Sequence, residues 1–334
     1  MDVASLLQIN TAPPQLIPDQ VPTPPPSISS SPTIAPRALE SEEGVPCDVS
    51  LSISRTFHPK SKLLPPQPDT IFRSSDNVLF YVHRTVIREK SANDWNGRLP
   101  QLPASTHSIE DGGMGKVTSL PESAAALNIV FHAVYGYSCA HYSPTLDDII
   151  AGVDAMAIYG VPPKDHILPC TPLYVLILNH APLAPLPAYT LAAFHDIHSL
   201  AVPISTHLLS IPLGPGSLTD ATLQRMGPIY LKRLLCLQLD RVDKLRGLLV
   251  SPPLPHPPTK TCHLAVERTR LTRAWTLAAS RVAWDASADM SSSAIEAAFL
   301  PLAEQLTCPL CAESLATCVR RVVDGWSAVK RSIE

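Results

Sequence analysis

Proline constrains this chain more than any other residue. It fills 36 of 334 positions, while glycine fills 13. Average chains carry about 5% proline and about 7% glycine. Each proline fixes φ and removes a backbone donor, so helices end abruptly where one falls. With so little glycine, the links between elements are stiff corners and not loose tethers.

The remaining composition is that of a chain with cores to bury. Hydrophobic residues make up 45% and charged residues 16%, with a mean hydropathy of +0.11. That suffices for one large domain or two small ones. The net charge of -3 carries no polyanion signal, so no nucleic-acid partner is expected. The opening MDVASLLQINTAPP lacks the basic and long apolar regions of a secretory signal. The best membrane candidate, LYVLILNHAPLAPLPAYTLAAF, is interrupted by prolines and His180. The expectation is a soluble intracellular protein, cytoplasmic or nuclear, with no membrane partner. Its eight cysteines are then reduced thiols or metal ligands and not a disulfide framework.

Residues 1–46 are rich in Pro and Ser (VPTPPPSISSSPTIAPR) and predict a disordered or polyproline-like tail. CDVSLSISRTF alternates Val49, Leu51 and Ile53 as a strand does, until prolines stop it. TIFRSSDNVLFYVH predicts a hairpin turning at Asp76-Asn77, residues that tolerate a positive φ. A short helix then starts at RTVIREKSANDW. Residues 96–119 are a polar loop bearing DGGMG. LPESAAALNIVFHAVYG predicts a helix with Pro121 in its first turn, and SPTLDDIIAGVDAMAIYGVP a second one ending at Tyr159-Gly160.

Residues 172–250 are helical by pattern and cut into short pieces. SPPLPHPP at 251–258 is a rigid corner, followed by three amphipathic helices. Their stripes are Leu271, Trp275, Ala278 and Val282; Ile295, Phe299, Leu302 and Leu306; and Leu315, Val319, Val322 and Trp326. Ser293 and Glu296 have the spacing of a capping box.

The Asp-initiated strand, the turn, Phe80-x-x-His83 entering a helix, Leu120-Pro121-Glu122, Val134-Tyr135-Gly136 and Tyr159-Gly160 together resemble a BTB (POZ) domain. SSDNVLFYVH, VYGYSCAHYSP, PAYTLAAFHDIHSLA and MGPIYLKRL are similar to BTB proteins expanded in mushroom-forming fungi. The resemblance spans roughly residues 69–332 and implies an α+β fold. A BTB/POZ-like small sheet capped by helices would occupy 47–165, an all-α extension 166–250, and a C-terminal helical domain with the CxxC 251–334. The extension carries no kelch repeat or zinc finger to specify a role.

Chemistry is sparse. CPLC at 308–311 offers two thiolates at the spacing that holds two corners of a zinc tetrahedron. Cys262 and His263 are the natural partners for Cys308 and Cys311, with His256 in reserve and Cys318 assigned to an apolar helix face. The competing reading is a set of ordinary half-buried thiols. A redox CxxC belongs in a βαβ setting, whereas this one lies between helices. His195 and His198 of HDIH share a helix face, but no third ligand cluster accompanies them, and a surface or capping role is expected. His83 is assigned to packing and capping. No GxSxG, GxxxxGK[ST] or post-strand GxGxxG is present.

The expected function is therefore a non-enzymatic protein-interaction module. The resemblance implies homodimerisation through the BTB domain and protein partners, among them a cullin if the chain is a ubiquitin-ligase adaptor. A transcriptional or chromatin scaffold is the alternative. A metal-dependent enzyme using the C-terminal Cys/His residues is the alternative of another class.

Overall fold

A tight turn sets the register of the sheet. Asn77 adopts φ 63°, and its N–H donates to the Ser74 carbonyl (3.1 Å). The Ser74 hydroxyl accepts from the Val78 N–H (2.9 Å). In this computed structural model, which describes residues 51–99, 117–214, 216–260, 262 and 264–334, the turn joins β2 (Thr70–Arg73) to β3 (Val78–Val82). The preceding strand, β1, is Ser52–Ile53. β2 and β3 pair antiparallel, with Phe72 opposite Phe80. The tail expected over 1–46 and the DGGMG loop lie outside the described residues.

After the hairpin come α1 (Arg84–Lys90) and β4 (Val117–Ser119). The four-stranded sheet has the order β1-β3-β2-β4, with β1 parallel to β3 and β4 parallel to β2. Of the strand expected around Val49, Leu51 and Ile53, Ser52–Ile53 is strand among the described residues, and Val49 lies outside them. β1 lies at the sheet edge with Leu51 and Ile53 both exposed.

Proline shapes the helices by standing at their starts, where its missing N–H costs nothing. Four helices follow β4 with different starts: α2 (Ala124–Tyr135), α3 (Leu146–Ile158), α4 (Pro163–His166) and α5 (Pro172–His180). α6 (Pro185–Phe194) and α7 (His198–Ser205) come next. Pro163, Pro172 and Pro185 each open a helix. α2 is capped by Ser123, so Pro121 stands before it and not in its first turn. Asp76 of the hairpin turn also accepts from the Ala124 N–H (2.8 Å), tying sheet to helix. α3 begins with a reciprocal capping box between Thr145 and Asp148.

α8 (Asp220–Leu249) is broken at Gly227, whose φ of 75° and ψ of 163° lie outside helical space, just ahead of Pro228. Three further helices are α9 (Leu264–Trp284), α10 (Ser292–Glu304) and α11 (Pro309–Ser327). Ser291 caps α10, accepting from the Ala294 N–H (3.1 Å). The Ser293/Glu296 box is therefore not the cap, because the helix starts one residue before Ser293. The fold is thus mixed α+β, mostly helical, with one small sheet among the described residues.

Two hydrophobic clusters hold these elements. The first gathers Phe57, Phe72, Phe80, Trp95 and Phe131 under the sheet and continues through α5–α7 into the first half of α8. Trp95 stacks on Tyr159 at 4.7 Å and 9°. The second joins Leu245 and Leu249 to Trp275, Phe299, Leu315, Val322 and Trp326. Cys318 belongs to that buried face, as expected. No helix among the described residues is long and apolar enough to cross a membrane.

His83 sits at the N-cap of α1, but its side chain makes no cap bond. Instead its Nε2 faces the carbonyls of Leu64 (3.0 Å) and Pro66 (2.8 Å), and its Nδ1 faces the Tyr135 hydroxyl (2.9 Å). Carbonyls only accept, so the proton is on Nε2 and Nδ1 accepts from Tyr135. The same hydroxyl accepts from the His83 N–H (2.7 Å). Burial raises the Tyr135 phenol to about 12. His83 is therefore a buried packing residue that fastens the 64–66 segment, without the capping part of its expected role.

α2 packs closely on α3. A Cβ on Gly152 would lie 2.7 Å from the Ile129 Cβ and 3.1 Å from the Ala126 carbonyl. Gly152→Ala should destabilise the protein by about 1–3 kcal/mol through overpacking. A urea midpoint unchanged by the substitution would show that the two helices can part freely.

Candidate functional site

Four ligand-bearing side chains converge at the start of α11. His256, Cys262, Cys308 and Cys311 bring their donor atoms within 4.8 Å of one another. Cys308 is the N-cap of α11 and Pro309 opens the helix, which places Cys311 one turn on, facing the same way. Of the other two, His256 belongs to the proline-rich corner and Cys262 follows just after it. That corner lies along α11: the Ser314 hydroxyl donates to the Leu254 carbonyl, and Arg321 donates to the Ser251 carbonyl (3.3 Å). The Thr259 hydroxyl accepts from the Cys262 N–H (3.1 Å), turning the Cys262 side chain inward.

Within the cluster, Cys262 Sγ is 3.8 Å from Cys311 Sγ. His256 Nε2 is 3.5 Å from Cys308 Sγ and 3.3 Å from Cys311 Sγ. The three cysteines are buried and His256 is half-buried. The backbone N–H groups of Cys311 and Leu310, open at the helix start, help lower the Cys308 thiol to about 7. Burial, reinforced by the neighbouring thiols, pushes Cys311 up to about 12.

Cys262, Cys308 and Cys311, all anticipated from the sequence, therefore meet. The imidazole that joins them is His256. His263 lies outside the described residues. The proline corner made the difference: a stiff run of prolines reaches back across α11, which spacing alone does not reveal.

A second polar constellation lies where α3, α6 and α8 meet. His195 Nε2 bonds Asp154 Oδ1 (2.8 Å), and one Arg225 nitrogen reaches both Asp154 oxygens (2.7 Å each). The Arg225 guanidinium also lies over the Phe194 ring (4.5 Å). Beside it, Asp196 accepts from Lys164 (2.5 Å) and from the Tyr230 hydroxyl (2.8 Å). Arg233 donates to His198 Nδ1 (3.2 Å). His195 is the C-cap of α6, its N–H donating to the Ala193 and Leu191 carbonyls, so the capping part of the HDIH expectation holds; the surface part does not. Its side chain is 6% exposed and hydrogen-bonded across 41 residues of sequence, a separation that no local pattern encodes. Among the described residues, no hydroxyl or thiol is hydrogen-bonded to His195.

Against these two sites, no family model matches this chain, no curated protein matches it, and no solved structure matches it.

Burial alone would raise the Asp154 carboxyl, but hydrogen bonds from His195 and Arg225 outweigh it and hold the group below the usual carboxylate range. A depressed carboxylate stabilises the fold above its unfolded value of about 3.9. That contribution fades as pH falls through the folded value. Asp154→Ala should cost about 1–3 kcal/mol near neutrality, since the pair is only partly buried. The gap to the parent protein should narrow in acid. Urea titrations at two pH values measure both, and a gap that widens in acid would contradict this account.

Proposed function

We propose that the chain is a non-enzymatic interaction module of BTB type that pairs with a second copy of itself. The observation that carries this reading is the sheet edge. β1 presents Leu51 and Ile53 to solvent, 58% and 50% exposed, on a strand whose outer side has no neighbour in the sheet among the described residues. An open edge with apolar side chains is a ready site for a further strand. A small sheet with helices packed beside it is what the resemblance implies, and its presence supports the same reading. Protein partners beyond a second copy would dock on the outer helical and strand faces. A cullin-type ligase adaptor is the preferred downstream role, and it rests on the resemblance alone.

Light-scattering mass measurement of the full chain should give a dimer, and Leu51→Asp with Ile53→Asp should shift it to a monomer with unchanged circular dichroism. A monomer at every concentration tested, or a double variant that still dimerises, would refute pairing through β1. Co-precipitation with a cullin tests the adaptor role separately, and its failure would favour a chromatin-associated scaffold.

A further inference from the structure

We propose that His256, Cys262, Cys308 and Cys311 form a structural zinc site of the three-thiolate, one-imidazole type. Geometry is the first ground. Zinc bonds thiolate sulfur at about 2.3 Å and imidazole nitrogen at about 2.0–2.1 Å in a tetrahedron. The edges of that tetrahedron are about 3.8 Å between sulfurs and about 3.5 Å between sulfur and nitrogen. The cluster has 3.8 Å for Cys262–Cys311, 3.5 Å for His256–Cys308 and 3.3 Å for His256–Cys311. All four donor atoms lie within 4.8 Å of one another, and ordinary core packing of thiols has no reason to gather three sulfurs and an imidazole nitrogen so closely. A disulfide does not explain it either, because bonded sulfurs lie at about 2.03–2.05 Å.

The imidazole is the second ground, independent of the first. His256 Nδ1 lies 2.6 Å from the Pro257 carbonyl, which can only accept. The proton is therefore on Nδ1, and the lone pair of Nε2 points into the three thiols. This is the arrangement by which an outer hydrogen bond fixes a metal-binding histidine in its tautomer. It needs nothing beyond the residue next in sequence.

The donor set then selects the ion. Three thiolates and one imidazole suit zinc and disfavour magnesium and calcium, which take oxygen. All four positions are filled by protein, so none is left for a reacting water, and the site is structural and not catalytic. Its mechanical effect is to clamp the proline corner onto α11, closing a loop in which His256 and Cys308 are 52 residues apart. This inference is independent of pairing through β1, since a monomer would hold zinc equally well.

The test is metal analysis and native mass spectrometry of the full chain made in zinc-supplemented medium. About one zinc per chain is expected. His256→Ala and Cys308→Ser should lower the zinc content or affinity by roughly tenfold or more, and His263→Ala should leave it unchanged. Should the cysteine variant fail to fold, the parent protein still decides. A mercurial titrating its thiols should release the zinc to a chromophoric chelator, and cobalt in place of zinc should give the visible bands of a tetrahedral thiolate site. A metal-free parent protein, iron in place of zinc, or zinc kept by His256→Ala and lost by His263→Ala would each overturn the proposal.

Discussion

The joint between the two hydrophobic clusters depends on one buried guanidinium. Arg241, on α8, donates through Nε to the Ala288 carbonyl (2.6 Å) and through one terminal nitrogen to the carbonyls of Val329 (2.8 Å) and Lys330 (2.7 Å). It lies 4.2 Å over the Trp326 ring. Among the described residues no carboxylate pairs with it. Two of its partners, the Val329 and Lys330 carbonyls, lie just past the C-terminal end of α11, where a cation is favourably placed, and the third, the Ala288 carbonyl, lies in the link between α9 and α10. Burying a charge is costly, and burial lowers the Arg241 pKa. The fold tolerates this because three carbonyls and a ring face replace water.

α8 is what brings Arg241 there. Its first half packs in the sheet-bearing cluster through Tyr230 and Leu234, and its last turns pack in the C-terminal cluster through Leu245 and Leu249. The break at Gly227 re-aims the helix between those tasks. The polar seam flanks that break: Arg225 bonds Asp154 before it, and the Tyr230 hydroxyl bonds Asp196 after it. A conformational change at the hinge would have to disturb several charged bonds together.

Much of this was legible in the sequence where contacts are local. The hairpin at Asp76-Asn77 and the periodic helices α2, α3 and α9–α11 rest on turn chemistry and on 3.6-residue spacing, and both appear in the structure. The two cysteines of CPLC share a helix turn, so their proximity was also readable. What was not legible depends on distant partners. His195 finds Asp154 through tertiary packing. His256 reaches the thiols only because the proline run folds back over α11. Helix starts were misjudged by one to three residues at Pro121 and Ser293, where more than one residue could serve as the cap and the surrounding packing chose.

One contact has a consequence for how the chain is made. The Ile333 N–H donates to the hydroxyl of Ser205 (3.0 Å), across 128 residues, and the Ile333 side chain is buried in the sheet-bearing cluster. During synthesis, the ribosome releases the sheet and α2–α7 long before residue 333. Until that late segment arrives, the patch around Ser205 stays open, and closing so long a loop carries an entropic penalty that early folding cannot recover. The first cluster is therefore completed by a residue made well after its sheet and helices.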